Sequence, residues 1–201
     1  MLVARAHGYA ERTAITAAEG TFSYRDLLDA SARVAASLLG SRDDLGEARV
    51  SFLVSPGFHY VATQWGIWRA GGVAVPLATS HPPPELEYAI RDADPAVVVA
   101  DAELAPRLDA VPVPSAVRRL RTAEALASEL RSPLPDVPDD RRAMILYTSG
   151  TTGNPKGVVT THGSLRAQVT SLVTAWEWSA DDRILLVLPL HHVHGIVNVL
   201  S

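Results

Sequence analysis

The chain has no cysteine, so disulfide bonds, thiolate metal ligands and a cysteine nucleophile are excluded. It also lacks an apolar run of the ~18 residues that a membrane-spanning helix needs, and it has no apolar segment near its start that would suit a signal peptide. The formal net charge of −4 argues against nucleic acid or an anionic membrane as the main partner. Since 47% of the 201 residues are hydrophobic and 20% are charged, we expect a globular, cytoplasmic protein.

Lysine is nearly absent too. Lys156 is the only lysine, and the other seventeen of the eighteen Lys and Arg residues are arginine. An ammonium group is a compact point charge that suits phosphate oxygens, whereas arginine favours flat, bidentate partners. Lys156 lies in the segment 147–157, Tyr-Thr-Ser-Gly-Thr-Thr-Gly-Asn-Pro-Lys-Gly, which we call the glycine-rich loop. Its position there indicates a role in binding a phosphate-bearing ligand.

The glycine-rich loop is flanked by two apolar runs, Ala143–Leu146 and Val158–Thr161, which predict a buried strand on either side. Its glycines allow backbone N–H groups to approach one anion closely, and its hydroxyl groups add further donors. The residues that we expect to bind a triphosphate are Thr148, Ser149, Gly150, Thr151, Thr152, Gly153 and Lys156. The alternative is a flexible surface linker with an incidental lysine, which the flanking strands disfavour.

The spacing of the loop differs from two common nucleotide-binding patterns. Neither Gly150 nor Gly153 leads into the Gly-Lys ending of a Walker A loop, and no Gly-x-Gly-x-x-Gly follows an early strand. The loop does resemble, residue for residue, the phosphate loop of the AMP-forming acyl-CoA synthetases, a superfamily of adenylating enzymes. This resemblance implies that Lys156 acts in catalysis, by neutralising the β- and γ-phosphates of ATP.

A second motif, Pro189–Gly195, contains three histidines and follows Ile184–Leu188, which we predict to be a central strand. Open α/β sheets bind ligands at this end of their strands. One interpretation makes His191, His192 and His194 metal ligands, although no Cys or carboxylate lies nearby in sequence. Another, which we prefer by resemblance to the superfamily, makes His192 a gate beside the acyl carboxylate and leaves the chain without a metal site. A third has histidines that cap backbone groups, and we expect this for His191.

The histidine spacing also predicts a substrate. On an extended segment His192 and His194 would face the same side of a pocket, since side chains alternate along a strand. An imidazole there would waste its hydrogen bonds on a hydrocarbon chain but would pair well with a carboxylate. We therefore predict a short dicarboxylic acid, malonate or methylmalonate, bound by His192 and His194. If His194 turns away, a small monocarboxylate such as acetate is the alternative.

Strands and helices alternate along the rest of the chain, which predicts an α/β fold with a mostly parallel sheet and helices on both faces. The other predicted strands are 13–16, 21–24, 49–54, 71–77 and 95–100, and the predicted helices are 27–40, 57–70, 85–92, 123–130 and 164–176, with another beginning after Gly195. The proline- and acid-rich stretch 132–140 predicts an exposed excursion. We expect structural roles, on the surface or in the core, for the isolated histidines His7, His59, His81 and His162. We expect places in the core for Trp65, Trp68, Trp176 and Trp178.

The resemblance extends along the whole chain, and Leu188–Gly195 is most similar to the same segment of malonyl- and methylmalonyl-CoA synthetases. Members of the superfamily are well over twice as long as this chain. The resemblance therefore implies that residues 1–201 form part of the large N-terminal AMP-binding domain. The missing part would carry the adenine and ribose contacts, a magnesium-binding acid and a small C-terminal domain.

The implied reaction converts ATP and a carboxylic acid to acyl-AMP and pyrophosphate, after which the thiol of coenzyme A attacks the acyl group. The expected partners are a small carboxylic acid, ATP and coenzyme A, with Mg²⁺ bound mostly outside this chain and no nucleic acid. Two alternatives remain, a truncated nucleotide-binding module without turnover and a synthetase for another small acid. A peptide-synthetase adenylation domain would instead need an acid near His192, to pair with an ammonium group.

Overall fold

A computed structural model of the chain describes residues 2–129, 133–148 and 154–200. After a 3₁₀ helix (Leu2–Tyr9), the strands are β1 (Thr13–Ala17), β2 (Gly20–Ser23), β3 (Arg49–Leu53), β4 (Val73–Pro76), β5 (Val97–Ala100), β6 (Arg118–Arg121), β7 (Arg142–Thr148) and β8 (Lys156–Thr161). The helices are α1 (Tyr24–Leu39), α2 (Phe58–Arg69), α3 (Pro83–Ala93), α4 (Ala105–Asp109), α5 (Thr122–Leu126), α6 (His162–Ala175) and α7 (Val193–Leu200). No helix in these ranges is long and apolar enough to cross a membrane.

The main sheet has six strands in the order β6-β5-β3-β4-β7-β8. All neighbours are parallel except β7 and β8, which form an antiparallel pair. Every residue of β4 and of β5 is buried, as expected for inner strands that are covered on both faces. Strands β1 and β2 form a separate antiparallel hairpin. The predicted mostly parallel sheet is therefore confirmed.

Helices cover both faces of the sheet. On one face Phe52 and Val99 pack into a core with α1 and α2, and on the other Leu53 and Val98 pack with α3 and α4. Successive side chains along a strand point to opposite faces of the sheet, so neighbouring residues pack into different cores. Helices α1 and α2 approach closely at Gly66, where an added Cβ would lie 2.5 Å from the Cβ of Val34. This close approach lets α1 and α2 pack together in the hydrophobic layer on one face of the sheet.

Helix α1 begins and ends at residues typical of those positions. Asp26 N donates to the Ser23 hydroxyl at 3.2 Å, and Ser23 N donates to the Asp26 carboxylate at 2.7 Å, which together form a capping box. Gly40 follows the helix with a φ of 56°, in the region that favours glycine. The predicted start and end of this helix are confirmed within a few residues.

Three predictions made from apolar patterns are wrong. Ile184–Leu188 is irregular and exposed, with Leu185 at 88% and Val187 at 78%, because no strand among the described residues pairs with it. Trp176 is 54% exposed and packs against Trp178, 5.0 Å between ring centroids, instead of entering the core. The helix predicted over 123–130 is the shorter α5 and is preceded by β6, whose three arginines hid the strand pattern. Trp65 and Trp68 are buried as predicted.

Candidate active site

The candidate site lies at the carboxyl edge of the parallel strands. His81 follows β4, and the glycine-rich loop follows β7 at this same edge. Because the carboxyl ends of parallel strands face one side of a sheet, residues distant in sequence meet there. Arg107 of α4 holds the segment after β4 by donating to the carbonyl oxygens of Thr79 and His81.

The glycine-rich loop closes the β7–β8 pair. The last paired residues are Thr148 and Lys156, and the Thr148 hydroxyl donates to the Lys156 carbonyl oxygen at 3.5 Å. Both residues are exposed. Strands are present on both sides of the loop as predicted, but only β7 contains buried residues. The prediction that the second strand is buried is wrong, because β8 is the edge of the described sheet and has a neighbouring strand on one side only. The other predicted phosphate-binding residues lie outside the described residues and are Ser149, Gly150, Thr151, Thr152 and Gly153. The single lysine therefore stands at the point where the second strand begins.

Helix α3 contacts β7 and the residue directly before β8. The Tyr147 hydroxyl donates to a carboxylate oxygen of Asp92 at 2.7 Å, and the Tyr88 hydroxyl donates to the carbonyl oxygen of Pro155 at 3.0 Å. The two tyrosine rings pack edge to face with centroids 6.4 Å apart. Burial and then the adjacent Asp92 carboxylate raise the pKa of Tyr147 well above its usual value, which keeps the hydroxyl protonated as a donor.

Three histidines form a row at the same edge. The ring of His191 lies 4.2 Å from that of His192 and 5.8 Å from that of His81, and we call these three residues the histidine row. Burial, then the neighbouring imidazoles, lower the pKa of His191 below its usual value, so its ring is neutral near pH 7. A small cavity between His191 and Tyr147 joins the row to the base of the glycine-rich loop.

The segment before the row is held by the core. Leu190 is buried, and the buried Tyr60 hydroxyl of α2 donates to its carbonyl oxygen. Gly195 packs against the preceding turn so closely that an added Cβ would lie 2.3 Å from the Pro189 carbonyl oxygen. These contacts fix the start of α7, which in turn fixes where His191 and His192 project.

The prediction that His192 and His194 share one face of an extended segment is wrong. Helix α7 begins at Val193, and Ile196 N donates to the His192 carbonyl oxygen at 3.2 Å, so His194 is within the first helical turn. Residues two apart on a helix point in nearly opposite directions. His191, for which a backbone cap was predicted, has its ring between those of His81 and His192.

Sequence reasoning missed His81, for which only a structural role was expected. The available signal was its place just after the predicted strand 71–77, at the edge where ligands bind. Tyr88 and Asp92 were also missed, because no local pattern tells which strand a helix will touch. In the described ranges, no group of three or more His, Asp or Glu side chains is arranged to hold a metal ion.

His162 lies away from this site. A place on the surface or in the core was expected for it, and it lies in the core. Its side chain is 3% exposed and packs edge to face on Trp68, with centroids 5.7 Å apart. Its Nε2 has no hydrogen-bond partner among the described residues. Burial is the main reason that its pKa is lowered to about 4, so the ring is neutral at pH 7.

Curated relatives match nearly the whole chain. It is 44% identical over 209 residues to malonate–CoA ligase ACSF3, mitochondrial, of Xenopus laevis, covering 98% of this chain and 36% of the relative. The human protein of the same name matches with the same identity and coverage. The malonate–CoA ligase of Arabidopsis thaliana is 35% identical over 221 residues, covering 94% and 35% of the two chains. The chain thus spans about a third of the length of these relatives.

Solved structures agree with the fold. Apo MatB from Rhodopseudomonas palustris superposes with a TM-score of 0.86 at 29% identity, over 99% of this chain and 43% of that one. The inhibitor-bound N-terminal domain of FACL13 from Mycobacterium tuberculosis gives 0.88 at 28% identity, over 99% and 53%. The family model described as AMP-binding enzyme matches residues 2–201. With its fold and its loop residues in agreement, the chain belongs to the family of AMP-binding enzymes.

Proposed function

We propose that the chain is the first part of the large N-terminal domain of an AMP-forming acid–thiol ligase. The observation that carries this proposal is the single lysine of the chain, which stands exposed where the glycine-rich loop re-enters the sheet. The family match over residues 2–201 and the relatives named as CoA ligases support it. As part of the same proposal, we assign residues 1–201 to the N-terminal AMP-binding domain of that ligase, of which they form a part.

In the proposed reaction the glycine-rich loop binds the β- and γ-phosphates of ATP. Lys156 neutralises the charge of the pyrophosphate that leaves when the substrate carboxylate attacks the α-phosphorus in line. The loop hydroxyls and backbone N–H groups complete the anion site, while His192 borders the acyl carboxylate as the gate. Mg²⁺ accompanies ATP and would neutralise phosphate charge, and its protein ligand is expected outside these residues. Coenzyme A then takes the acyl group from acyl-AMP.

For the substrate we propose a short dicarboxylic acid, malonate or methylmalonate. Relatives that match 94–98% of the chain are named malonate–CoA ligases. The histidine row offers imidazole donors for a second carboxylate, in place of the pair with His194 that the sequence suggested. A hydrocarbon chain beside these rings would leave their polar nitrogens without partners.

The test compares kcat/KM for malonate, acetate and hexanoate in the full-length ligase. Malonate should be preferred, and His192→Leu should lower its kcat/KM by about 10- to 100-fold, as expected for one lost charged hydrogen bond. The matched control is His194→Leu, an equally exposed histidine on the first turn of α7. A preference for hexanoate, or equal losses in the two variants, would contradict the substrate proposal.

A binding module without turnover is the alternative function. Pyrophosphate release in the presence of ATP and malonate separates the two, because a module would bind ATP without releasing pyrophosphate. The cytoplasmic location stays a proposal, and the vertebrate relatives are named mitochondrial.

A further inference from the structure

The β7–β8 hairpin that bears the glycine-rich loop has little support from the sheet. In the described register β4 pairs with β7 at one position, Ala74 with Met144, which is near the beginning of β7. The hairpin continues for several residues beyond that pair toward the loop. Strand β8 is the edge of the sheet, with Val158 and Val159 each 50% exposed. The end of the hairpin therefore depends on contacts from another element for its position.

Helix α3 supplies these contacts, one on β7 and one on the residue directly before β8. Asp92 accepts from the hydroxyl of Tyr147 on β7, and Tyr88 donates to the carbonyl oxygen of Pro155, next to β8. Tyr88 and Asp92 are four residues apart, so they lie on one face of the helix. The hairpin is thus held from the same side at the residues directly before Thr148 and directly before Lys156.

We propose that helix α3 fixes the position of Lys156 through these two hydrogen bonds, with Tyr88 as its principal positioning residue. The proposal rests on the proposed function of Lys156 as a phosphate ligand.

The geometric reason lies in the peptide that joins Pro155 to Lys156. The Pro155 carbonyl oxygen belongs to that planar peptide group, so the Tyr88 hydroxyl restrains the plane from which the Lys156 side chain starts. The proline ring fixes φ on the other side of the same carbonyl. Lysine has a long flexible side chain, and a fixed starting point reduces the volume that its ammonium group samples. Preorganised charge of this kind favours the transition state without a reorganisation step.

The Asp92 contact acts on the other strand. Tyr147 pairs with Gly157 across the hairpin, so a displacement of the Tyr147 ring would shift the residue that follows Lys156. The side chain of Gly157 is a hydrogen, and an added Cβ would lie 2.8 Å from Ile145 Cγ2 and 3.5 Å from Tyr147 Cζ. Both contacts of α3 therefore converge on the strand that begins with Lys156.

The experiment is a double-mutant cycle in the full-length ligase, with pyrophosphate release at varied ATP as the assay. Tyr88→Phe removes the hydroxyl and keeps the ring, so we expect kcat/KM for ATP to fall about three- to tenfold with little change in the thermal unfolding midpoint. In a Lys156→Ala background the same substitution should have almost no further effect, because its influence passes through that lysine. Tyr9→Phe, whose ring is exposed far from the loop in sequence, is the control.

Each outcome separates this proposal from the one on which it rests. If Lys156→Ala leaves activity unchanged, the phosphate role fails and this inference fails with it. If Lys156→Ala is impaired but Tyr88→Phe is silent, or if the two effects multiply independently, the positioning role is refuted while the phosphate role stands. Should Tyr88→Phe lower the unfolding midpoint strongly, Asp92→Ala provides the second variant, since Asp92 is exposed and its loss should show the same coupling to Lys156.

Discussion

The two ends of the parallel sheet differ in whether their positively charged side chains are paired with carboxylates. At the amino end, Arg141 donates to both carboxylate oxygens of Asp44, at 2.7 and 3.0 Å, and to the Gly71 carbonyl oxygen at 2.9 Å. Arg142 beside it binds the carboxylate of Glu47 through its backbone and its side chain. These guanidinium groups hold the pKa of Asp44 and of Glu47 below their usual values.

At the carboxyl end, fewer of the basic side chains are paired with a carboxylate than at the amino end. Within the described ranges Lys156 has no ion pair, and the only carboxylate paired with the histidine row is Glu85, 3.4 Å from His81. A charge that is already paired stabilises the fold, whereas a charge that is exposed and unpaired remains able to bind an anion. The comparison predicts that substitutions at the two ends will affect different quantities, stability at one end and catalysis at the other.

Under the proposed function, the largest effect is expected from Lys156→Ala in the full-length protein. Loss of one charged contact to phosphate should lower the rate of pyrophosphate release by about 10- to 100-fold, or roughly 1.5–3 kcal/mol. The unfolding midpoint should stay the same, because an exposed lysine contributes little to the folded state. Lys156→Arg, which keeps the charge but changes its shape, should be intermediate. Unchanged pyrophosphate release in Lys156→Ala would end the proposed role.

The opposite pattern is expected for Arg141→Leu. Two hydrogen bonds to a carboxylate and one to a carbonyl are lost, which should lower the free energy of unfolding by about 2–3 kcal/mol in denaturant titrations. At temperatures where the variant is folded, its KM for ATP should equal that of the unmodified enzyme. Arg5→Leu, at an exposed arginine of the 3₁₀ helix, is the control for the loss of charge. A raised KM with normal stability would show that the two ends are not separate.

A smaller, pH-dependent effect is expected from His162, which follows the end of β8 that pairs with Arg142. Its pKa is about 4 in the folded chain and near 6.5 when unfolded, so the unfolded state binds the proton more readily between these values. Its contribution to stability is complete above about pH 6.5 and is lost as the pH falls toward 4. We expect a loss of about 1–2 kcal/mol between pH 7 and pH 5.

The measurement is urea unfolding of the full-length protein at a series of pH values. His162→Phe, which keeps an aromatic ring against Trp68, should flatten the profile over this range, while His7→Phe at an exposed site should not. An identical slope in His162→Phe would mean that other groups produce the acid sensitivity.

Much of the fold could be predicted because its inner strands are apolar on both faces. Residues 50–53 and 97–100 are all buried, so local hydrophobicity and burial agree there. Ile184–Leu188 has the same composition but lies exposed, because a strand needs a partner that its own sequence does not specify. The short strand 118–121 lies at the other edge, where arginine is tolerated, and so gave no apolar signal.

The candidate site could be predicted only where its residues are contiguous in sequence. The glycine-rich loop is contiguous in sequence, so its residue types could be interpreted together. The histidine row and the contacts of Tyr88 with Pro155 depend on how separate elements pack, 67 residues apart in the latter case. The predicted placement of His194 is wrong because the segment forms a helical turn and is not extended. The turn packs closely at Gly195, where an added Cβ would collide with Pro189.

The exposed, solitary lysine has a chemical consequence for the whole segment. Acyl adenylates and thioesters acylate amines, and the other seventeen of the eighteen Lys and Arg side chains here are guanidinium groups, which stay protonated and are poor nucleophiles. Within these 201 residues, an amine-directed reagent therefore has one side-chain target, Lys156. Because that target is accessible at the end of β7–β8, the extent of its modification reports directly on whether the glycine-rich loop is covered by a ligand.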